Sequence, residues 1–104
     1  LVWSGMSAMD AAGHSQAVRS LAVAAWRDRG FGDFWGYMLV AEGAAEAMLE
    51  VGPRLWDLAA PALIVEEAGG MLTDFSGTPS YHGREALASN GRIHAQVIRA
   101  LAGE

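Results

Sequence analysis

The sequence contains no cysteine, which excludes disulfide bonds and thiolate metal ligands. It is also poor in basic residues: seven Lys and Arg stand against twelve Asp and Glu, for a net charge of −5. No basic cluster offsets this balance. The charge therefore argues against a protein that binds the phosphate backbone of nucleic acids.

Long apolar runs are missing too. A run such as residues 58–65 falls far short of the roughly 20 residues that a membrane span requires, and no secretory signal is recognisable. We therefore expect a soluble, cytoplasmic protein with no membrane partner. Its 104 residues, 52% of them hydrophobic, can form one α/β domain with a modest core. Because the first residue is Leu1 and not methionine, we expect a piece of a longer protein.

The most informative stretch is residues 56–70, WDLAAPALIVEEAGG. It is apolar at almost every position from Leu58 to Val65 and lacks the 3.6-residue alternation of a surface helix. This pattern predicts a helix buried on most sides, or, less favoured, a buried strand. Gly69-Gly70 would end the helix, and Pro61 would lie near its first turn.

Asp57 opens this stretch and admits two interpretations. A carboxylate at a helix start commonly acts as the N-cap, where it accepts hydrogen bonds from free backbone N–H groups and faces the positive end of the helix dipole. It can also be a metal ligand held at the mouth of a site. From the residue alone the N-cap is favoured.

The remaining pattern predicts a layered αβα unit. Residues 1–14 are a poorly assigned lead-in with a short strand near Leu1–Trp3. Helices and strands are then expected to alternate, forming a mixed sheet covered by helices on both faces. The expected helices are 15–28, 33–43 and the segment after Asn90, the expected strands are 45–51, 71–75 and 86–89, and residues 81–83 are expected to form a surface loop.

Several side chains receive a predicted environment from this pattern. Trp26 lies on the apolar stripe of the first helix and is expected in the core. His14 is expected to be a solvated turn residue, and His94 to lie on the outer face of the last helix. The helix that starts at Asp33 is too apolar for a surface helix, so we expect it to pack against the sheet.

Two further carboxylates and one arginine are candidate site residues. Glu50 ends an alternating strand just before Gly52, and α/β folds gather ligands at such strand ends. Its alternative is a solvated glutamate. Asp33 follows a glycine-containing link and is read first as an N-cap. Arg29 in that link could contact a phosphate, although a lone loop arginine is usually solvated.

The pattern W-D-x-A-A-x-x-x-I-V-x-E-A-G-G resembles the C-terminal signature of the inositol monophosphatase family, which comprises Mg²⁺-dependent sugar-phosphate phosphatases. The matching residues are Trp56-Asp57, Ala59-Ala60, Ile64-Val65 and Glu67-Ala68-Gly69-Gly70. The resemblance implies that Asp57 is a metal ligand and that Glu50 contacts the substrate. It also implies the C-terminal lobe of this family's fold, a small phosphate monoester as substrate, and a homodimer when the protein is complete.

Residues 29–43, RGFGDFWGYMLVAEG, resemble the histidinol-phosphate phosphatase branch of that family. This implies substrate contacts from Arg29, Gly32, Asp33, Phe34 and Glu50. Histidinol phosphate carries an ammonium and an imidazole, which carboxylates would attract through charge-assisted hydrogen bonds. The alternatives are an inositol-phosphate or other sugar-phosphate phosphatase, and a folded fragment without catalysis.

The acidic D-P-[IL]-D-G-T loop of the family is missing, because no aspartate in this chain is followed by proline. In the family that loop and an upstream glutamate supply most metal ligands. Mg²⁺ requires octahedral coordination by several oxygens, so Asp57 cannot hold it alone. We therefore expect the C-terminal half of a phosphatase, without a complete catalytic set and inactive in isolation.

Overall fold

The computed structural model describes residues 1–79, 81 and 84–104, so His82 and Gly83 of the predicted loop lie outside the described residues. The elements are β1 (Val2–Trp3), α1 (Met6–Ala11), α2 (Ser15–Ala24), α3 (Asp33–Ala41), β2 (Ala47–Val51), α4 (Leu55–Glu67), β3 (Met71–Thr73), β4 (Glu85–Ser89) and α5 (His94–Leu101). None of the helices in these ranges has the length and hydropathy needed to cross a membrane.

Four strands form one mixed sheet in the order β1-β2-β4-β3, with β1 parallel to β2 and the other neighbours antiparallel. Side chains of β2 alternate between two cores. Met48 lies in the core beneath α3 and α4, whereas Ala47 and Leu49 lie in the core beneath α1, α2 and α5. The predicted two-faced strand and the mixed sheet with helices on both faces are therefore confirmed.

The predicted alternation fails between β1 and β2, where three helices follow one another. The helix expected over 15–28 also ends early, because α2 stops at Ala24 and Ala25 is extended. The chain then returns to the sheet edge, where Arg29 forms a bridge to Val2. Trp26 lies in this returning segment and is 88% exposed, so its predicted place in the core is wrong.

Helix α4 begins two residues before Asp57, with Arg54 as its N-cap residue. Its end confirms the glycine stop: Gly69 has a φ of 92°, and the Gly70 N–H donates to the Val65 carbonyl oxygen at 2.9 Å. Pro61 is the seventh helical residue and is buried, so its placement near the first turn is wrong. Because proline has no N–H, the helix forgoes one internal hydrogen bond there.

Only one side of α4 is covered by the described residues. Leu58, Ala62 and Val65 are buried against the sheet, whereas Leu63 and Ile64 are exposed on the other side. The expectation that this helix is buried on most sides is therefore wrong for the chain as described. Its exposed apolar side explains why the sequence lacks the alternation of an ordinary surface helix.

His14 and His94, which were both predicted to be solvated, contact other side chains of the protein. His94 is buried at the start of α5 and bonds to Ser89 Oγ and Thr73 Oγ1 at 2.7 and 2.8 Å. Helix α5 starts after Ile93 and not after Asn90, and this later start turns His94 toward the sheet. His14 contacts the Glu85 carboxylate and packs edge-on against a phenylalanine ring.

Candidate functional site

Glu50 is the fourth residue of β2, and its side chain faces the layer formed by α3 and α4. This orientation follows from the alternation of β2, because Met48 two residues earlier lies in the core on that side. Glu50 is only 6% exposed. A carboxylate so deeply placed requires a partner, since burying an unpaired charge is costly.

The partner is Tyr37 of α3, whose hydroxyl donates a hydrogen bond to Glu50 Oε1 at 2.8 Å. Tyr37 is fully buried. Gly36 permits the close approach of α3 to β2, because a Cβ there would overlap Met48 Sδ and lie 3.0 Å from the Phe31 carbonyl oxygen. From the sequence, Tyr37 is expected only to pack against the sheet, as part of the apolar helix that starts at Asp33. The signal that could have revealed it is that a buried tyrosine hydroxyl nearly always finds a partner.

Asp33 and Asp57 lie near enough to Glu50 for their charges to influence its pKa. Burial raises the pKa of Glu50, and the hydrogen bond from Tyr37 opposes this, while the charges of Asp33 and Asp57 raise the pKa further. Burial also raises the pKa of the Tyr37 hydroxyl, and the Glu50 carboxylate raises it more. Tyr37 therefore remains a protonated hydrogen-bond donor at neutral pH.

Asp33 is the first residue of α3, and Gly32 is the N-cap residue. No side chain caps this helix, so the prediction of Asp33 as N-cap is wrong. Asp33 has a φ of 47°, and in the described part of the chain it is the only residue other than glycine with a positive φ. Aspartate tolerates this left-handed conformation better than most residues. Its exposed carboxylate lies close enough to Glu50 to affect its pKa.

Asp57 is the third residue of α4 and not its N-cap, which corrects the favoured prediction from the sequence. Its Oδ2 accepts a hydrogen bond from the Arg54 backbone N–H at 2.8 Å. This contact resembles the acidic half of a capping box and fixes the carboxylate at the helix start. Asp57 is exposed, so the carboxylate remains accessible to a ligand.

The other predicted contact residues lie in different surroundings. Arg29 lines a separate apolar groove of about 630 Å³ between β1, α2 and α5, and its Nη1 donates to the Asp28 carbonyl oxygen. Phe34 is 66% exposed at the start of α3. A Cβ on Gly32 would lie 3.3 Å from the Ser4 carbonyl oxygen, so this backbone packs tightly beside β1. The structure thus does not bring Arg29 to the carboxylates.

Comparison with known proteins decides the family. The model of the inositol monophosphatase family matches residues 10–104. The chain belongs to the inositol monophosphatase family. Among the curated relatives named histidinol-phosphatase, the Streptomyces coelicolor protein is 43% identical over 92% of this chain, and the Mycobacterium tuberculosis protein is 41% identical over 97%. The chain spans only 36% and 39% of their lengths.

Solved structures of inositol monophosphatases share the fold. The enzyme from Anabaena (Nostoc) sp. PCC 7120 superposes with a TM-score of 0.83 at 27% identity, covering 98% of this chain and 42% of that one. An IMPase/NADP phosphatase complexed with Mg²⁺ and phosphate superposes with a TM-score of 0.75 at 25% identity, covering 86% of this chain and 35% of that one. The predicted fold class is therefore confirmed.

The donor set of this chain fits a divalent cation only in part. Asp57 offers an accessible carboxylate oxygen, the ligand type that Mg²⁺ prefers. Within residues 1–79, 81 and 84–104, however, no three His, Asp or Glu side chains converge as a metal site. Among the described residues, the carboxylate of Asp57 is therefore an accessible oxygen donor that stands outside any group of three such side chains.

Proposed function

We propose that this chain is the C-terminal part of a Mg²⁺-dependent phosphomonoesterase that acts on histidinol phosphate. The observation that carries this proposal is the grouping of Asp33 and Asp57 around the buried Tyr37–Glu50 pair. In the described ranges none of these carboxylates forms a salt bridge with a basic side chain. The negative charge of these side chains favours a cationic substrate.

Asp57 is proposed as the metal ligand in this chain, with the other ligands outside it. When bound, Mg²⁺ activates water and stabilises the leaving oxygen in enzymes of this type. The capping contact with Arg54 gives Asp57 a fixed orientation before any ion arrives. The rest of this chain's contribution is to bind and orient the part of the substrate that leaves with that oxygen.

Glu50 and Asp33 are proposed to bind the ammonium and imidazole of histidinol phosphate. Charge-assisted hydrogen bonds to carboxylates are shorter and about twice as strong as neutral ones. Gly32 and Phe34 adjoin Asp33 and would line the same region, whereas a substrate contact from Arg29 stays a prediction without support from its position. Cytoplasmic location and a homodimer also stay predictions.

An inositol-phosphate or other sugar-phosphate phosphatase is the second candidate. It is supported by the fold shared with inositol monophosphatases. An inositol ring offers only hydroxyl groups, which have no need of several unpaired carboxylates. The charge grouping around Glu50 therefore favours histidinol phosphate.

The test uses a chimera in which this chain replaces the corresponding segment of the Streptomyces coelicolor histidinol-phosphatase. We expect Mg²⁺-dependent turnover with at least about a tenfold higher kcat/KM for histidinol phosphate than for inositol phosphate. Glu50→Gln should reduce that ratio, whereas Glu46→Gln, a change at an exposed glutamate before the same strand, should leave it unchanged. An equal loss for both substrates with Glu50→Gln would overturn the histidinol assignment.

A further inference from the structure

The hydroxyl of Tyr37 occupies one oxygen of the Glu50 carboxylate and leaves the other without a second side-chain hydrogen bond among the described residues. A glutamate side chain has three rotatable bonds, and a ligand that must order it loses binding free energy. A hydrogen bond from a rigid donor removes this cost before binding. The second oxygen, Oε2, has no side-chain partner among the described residues and is then held ready for an incoming N–H group.

Tyr37 is rigid because α3 is seated tightly on the sheet. Its ring belongs to the buried cluster formed with Met48, Leu58 and Ala86, and it has no exposed surface. The contact of Gly36 with Met48 fixes the height of α3 above β2, and thereby the position of the hydroxyl. The donor is thus placed by the core and not by a mobile loop.

We propose that Tyr37 is a positioning residue, which orients the Glu50 carboxylate so that Oε2 accepts a hydrogen bond from the cationic end of the substrate. This inference rests on the proposed function. Tyr37 acts through Glu50 and has no contact of its own with the reacting phosphate. Its removal should therefore weaken substrate binding more than it slows the chemical step.

The test compares Tyr37→Phe with Tyr81→Phe in the same chimera. Phenylalanine keeps the packed ring at position 37 and removes only the donor, and Tyr81 is a matched control because its hydroxyl donates to Glu66 on α4. For histidinol phosphate, Tyr37→Phe should raise KM about tenfold and change kcat by less than about twofold. For inositol phosphate neither constant should change, and Tyr81→Phe should be neutral for both substrates.

A second measurement needs no turnover. In the 104-residue chain, the ¹³C resonance of the Glu50 carboxylate should shift in Tyr37→Phe and stay in place in Tyr81→Phe. An unmoved resonance, or an equal loss of kcat/KM for both substrates, would overturn the role of Tyr37. If the unmutated chimera lacked the histidinol preference while the resonance still shifted, the proposed function would fail and the Tyr37–Glu50 contact would stand.

Discussion

The backbone conformation of Asp33 determines how its role is best tested. Serine would keep a small polar group but fits a φ of 47° less well, whereas asparagine accepts the left-handed region about as readily as aspartate. Asp33→Asn thus removes the charge and leaves the helix start intact. Serine would mix a loss of charge with added backbone strain.

We expect Asp33→Asn in the chimera to lower kcat/KM for histidinol phosphate by about one to two decades, which corresponds to roughly 1.5–3 kcal/mol for a charge-assisted hydrogen bond. The value for inositol phosphate should hardly change. Steady-state kinetics with both substrates provides the measurement, with Asp28→Asn as the control because Asp28 lies at the separate groove. An equal decrease for both substrates would mean that Asp33 supports the structure and not the substrate.

Removing the charge of Asp57 should change the Mg²⁺ dependence of activity. Asparagine can still accept the hydrogen bond from the Arg54 N–H, so the helix start and the melting temperature should be preserved. In the chimera, Asp57→Asn should raise the Mg²⁺ concentration for half-maximal activity and slow turnover, by about tenfold or more. A Mg²⁺ titration monitored by phosphate release measures both. A normal metal response would leave Asp57 with its capping role alone.

His94 belongs to a chain of hydrogen bonds that links Ser89 to Thr73. The Gly91 N–H donates to Ser89 Oγ, and the Thr73 hydroxyl donates to the Asp74 carbonyl oxygen. Because the Thr73 proton is used there, Thr73 Oγ1 accepts from His94 Nε2–H. In the neutral imidazole that burial favours, Nδ1 then accepts from the Ser89 hydroxyl. This assignment requires a neutral ring, because Nδ1 is the acceptor.

Stability should consequently fall in mild acid. Burial lowers the pKa of His94 below its ordinary 6.5, so below that pH the unfolded chain binds a proton that the folded chain does not. The stabilisation is complete above about pH 6.5 and is lost as the pH falls through the folded-state pKa. Urea unfolding at about pH 7.5 and 5.5 measures the loss, and His94→Gln should reduce this pH dependence. An unchanged pH dependence in that variant would contradict the assignment.

At the residue scale, the sequence predicted the three candidate carboxylates, Glu50, Asp33 and Asp57, but not the hydrogen bond from Tyr37 that orients Glu50. Glu50 was predicted as a site residue from its place at the end of a strand. Asp33 and Asp57 were assigned to the site because of the family resemblance. The hydrogen bonds of Tyr37 and His94 were not predicted, because their partners lie on other elements. The residues next to Tyr37 and His94 in the sequence do not indicate these partners. Hydroxyl–carboxylate and hydroxyl–imidazole pairs depend on tertiary placement, which periodicity does not report.

At the scale of the elements, the end of α4 is tightly constrained by its contact with β4. A Cβ on Gly70 would overlap the Ser89 carbonyl oxygen and lie 2.9 Å from Val65 Cγ1. The backbone of β4 cannot yield as a flexible side chain would. The turn between α4 and β3 therefore admits only glycine at this position.

Gly70→Ala should destabilise the chain by about 1–3 kcal/mol, the usual cost of forcing extra volume into a packed site. Chemical denaturation measures it. Gly5→Ala serves as the control, because a Cβ there meets no atom within 4 Å and its backbone is extended. A Gly70→Ala variant as stable as the control would show that α4 and β4 can separate without cost.

Most helices and strands could be predicted from the sequence, but the residues at which they begin and end could not. The strands and helices from β2 onward all coincide with predicted ones. Strand β2 shows a clear two-residue alternation, and α4 was predicted from a long apolar run that a glycine pair ends. The start of α4 was misplaced because Asp57 was taken as the N-cap, although an acidic residue is equally suited to the third helical position. The early end of α2 has no glycine or proline to announce it.

At the scale of the whole molecule, the layered sheet was predicted and the exposed side of α4 was not. Apolar composition shows that Leu63 and Ile64 favour burial, but not whether the covering surface lies within these 104 residues. Trp56, 76% exposed at the start of the same helix, poses the same question. Sequence periodicity cannot answer it, because it describes one helix at a time.

The chain by itself should show no appreciable turnover of histidinol phosphate in the presence of Mg²⁺. The physical reason is that Asp57 is one carboxylate where octahedral coordination needs several oxygens. Phosphate release by the purified 104-residue chain is the measurement, with the chimera as the positive control. Turnover that disappears in Asp57→Asn would show that the chain completes a site on its own.

The strand order also dictates a sequence of events in time. Strand β4 lies between β2 and β3, yet it follows both of them along the chain. Until Glu85–Ser89 has been synthesised, neither antiparallel ladder can form, and among the described strands β2 has only the two-residue β1 beside it. Most of the sheet therefore assembles in one late step that joins residues far apart along the chain, which makes slow folding the expected behaviour.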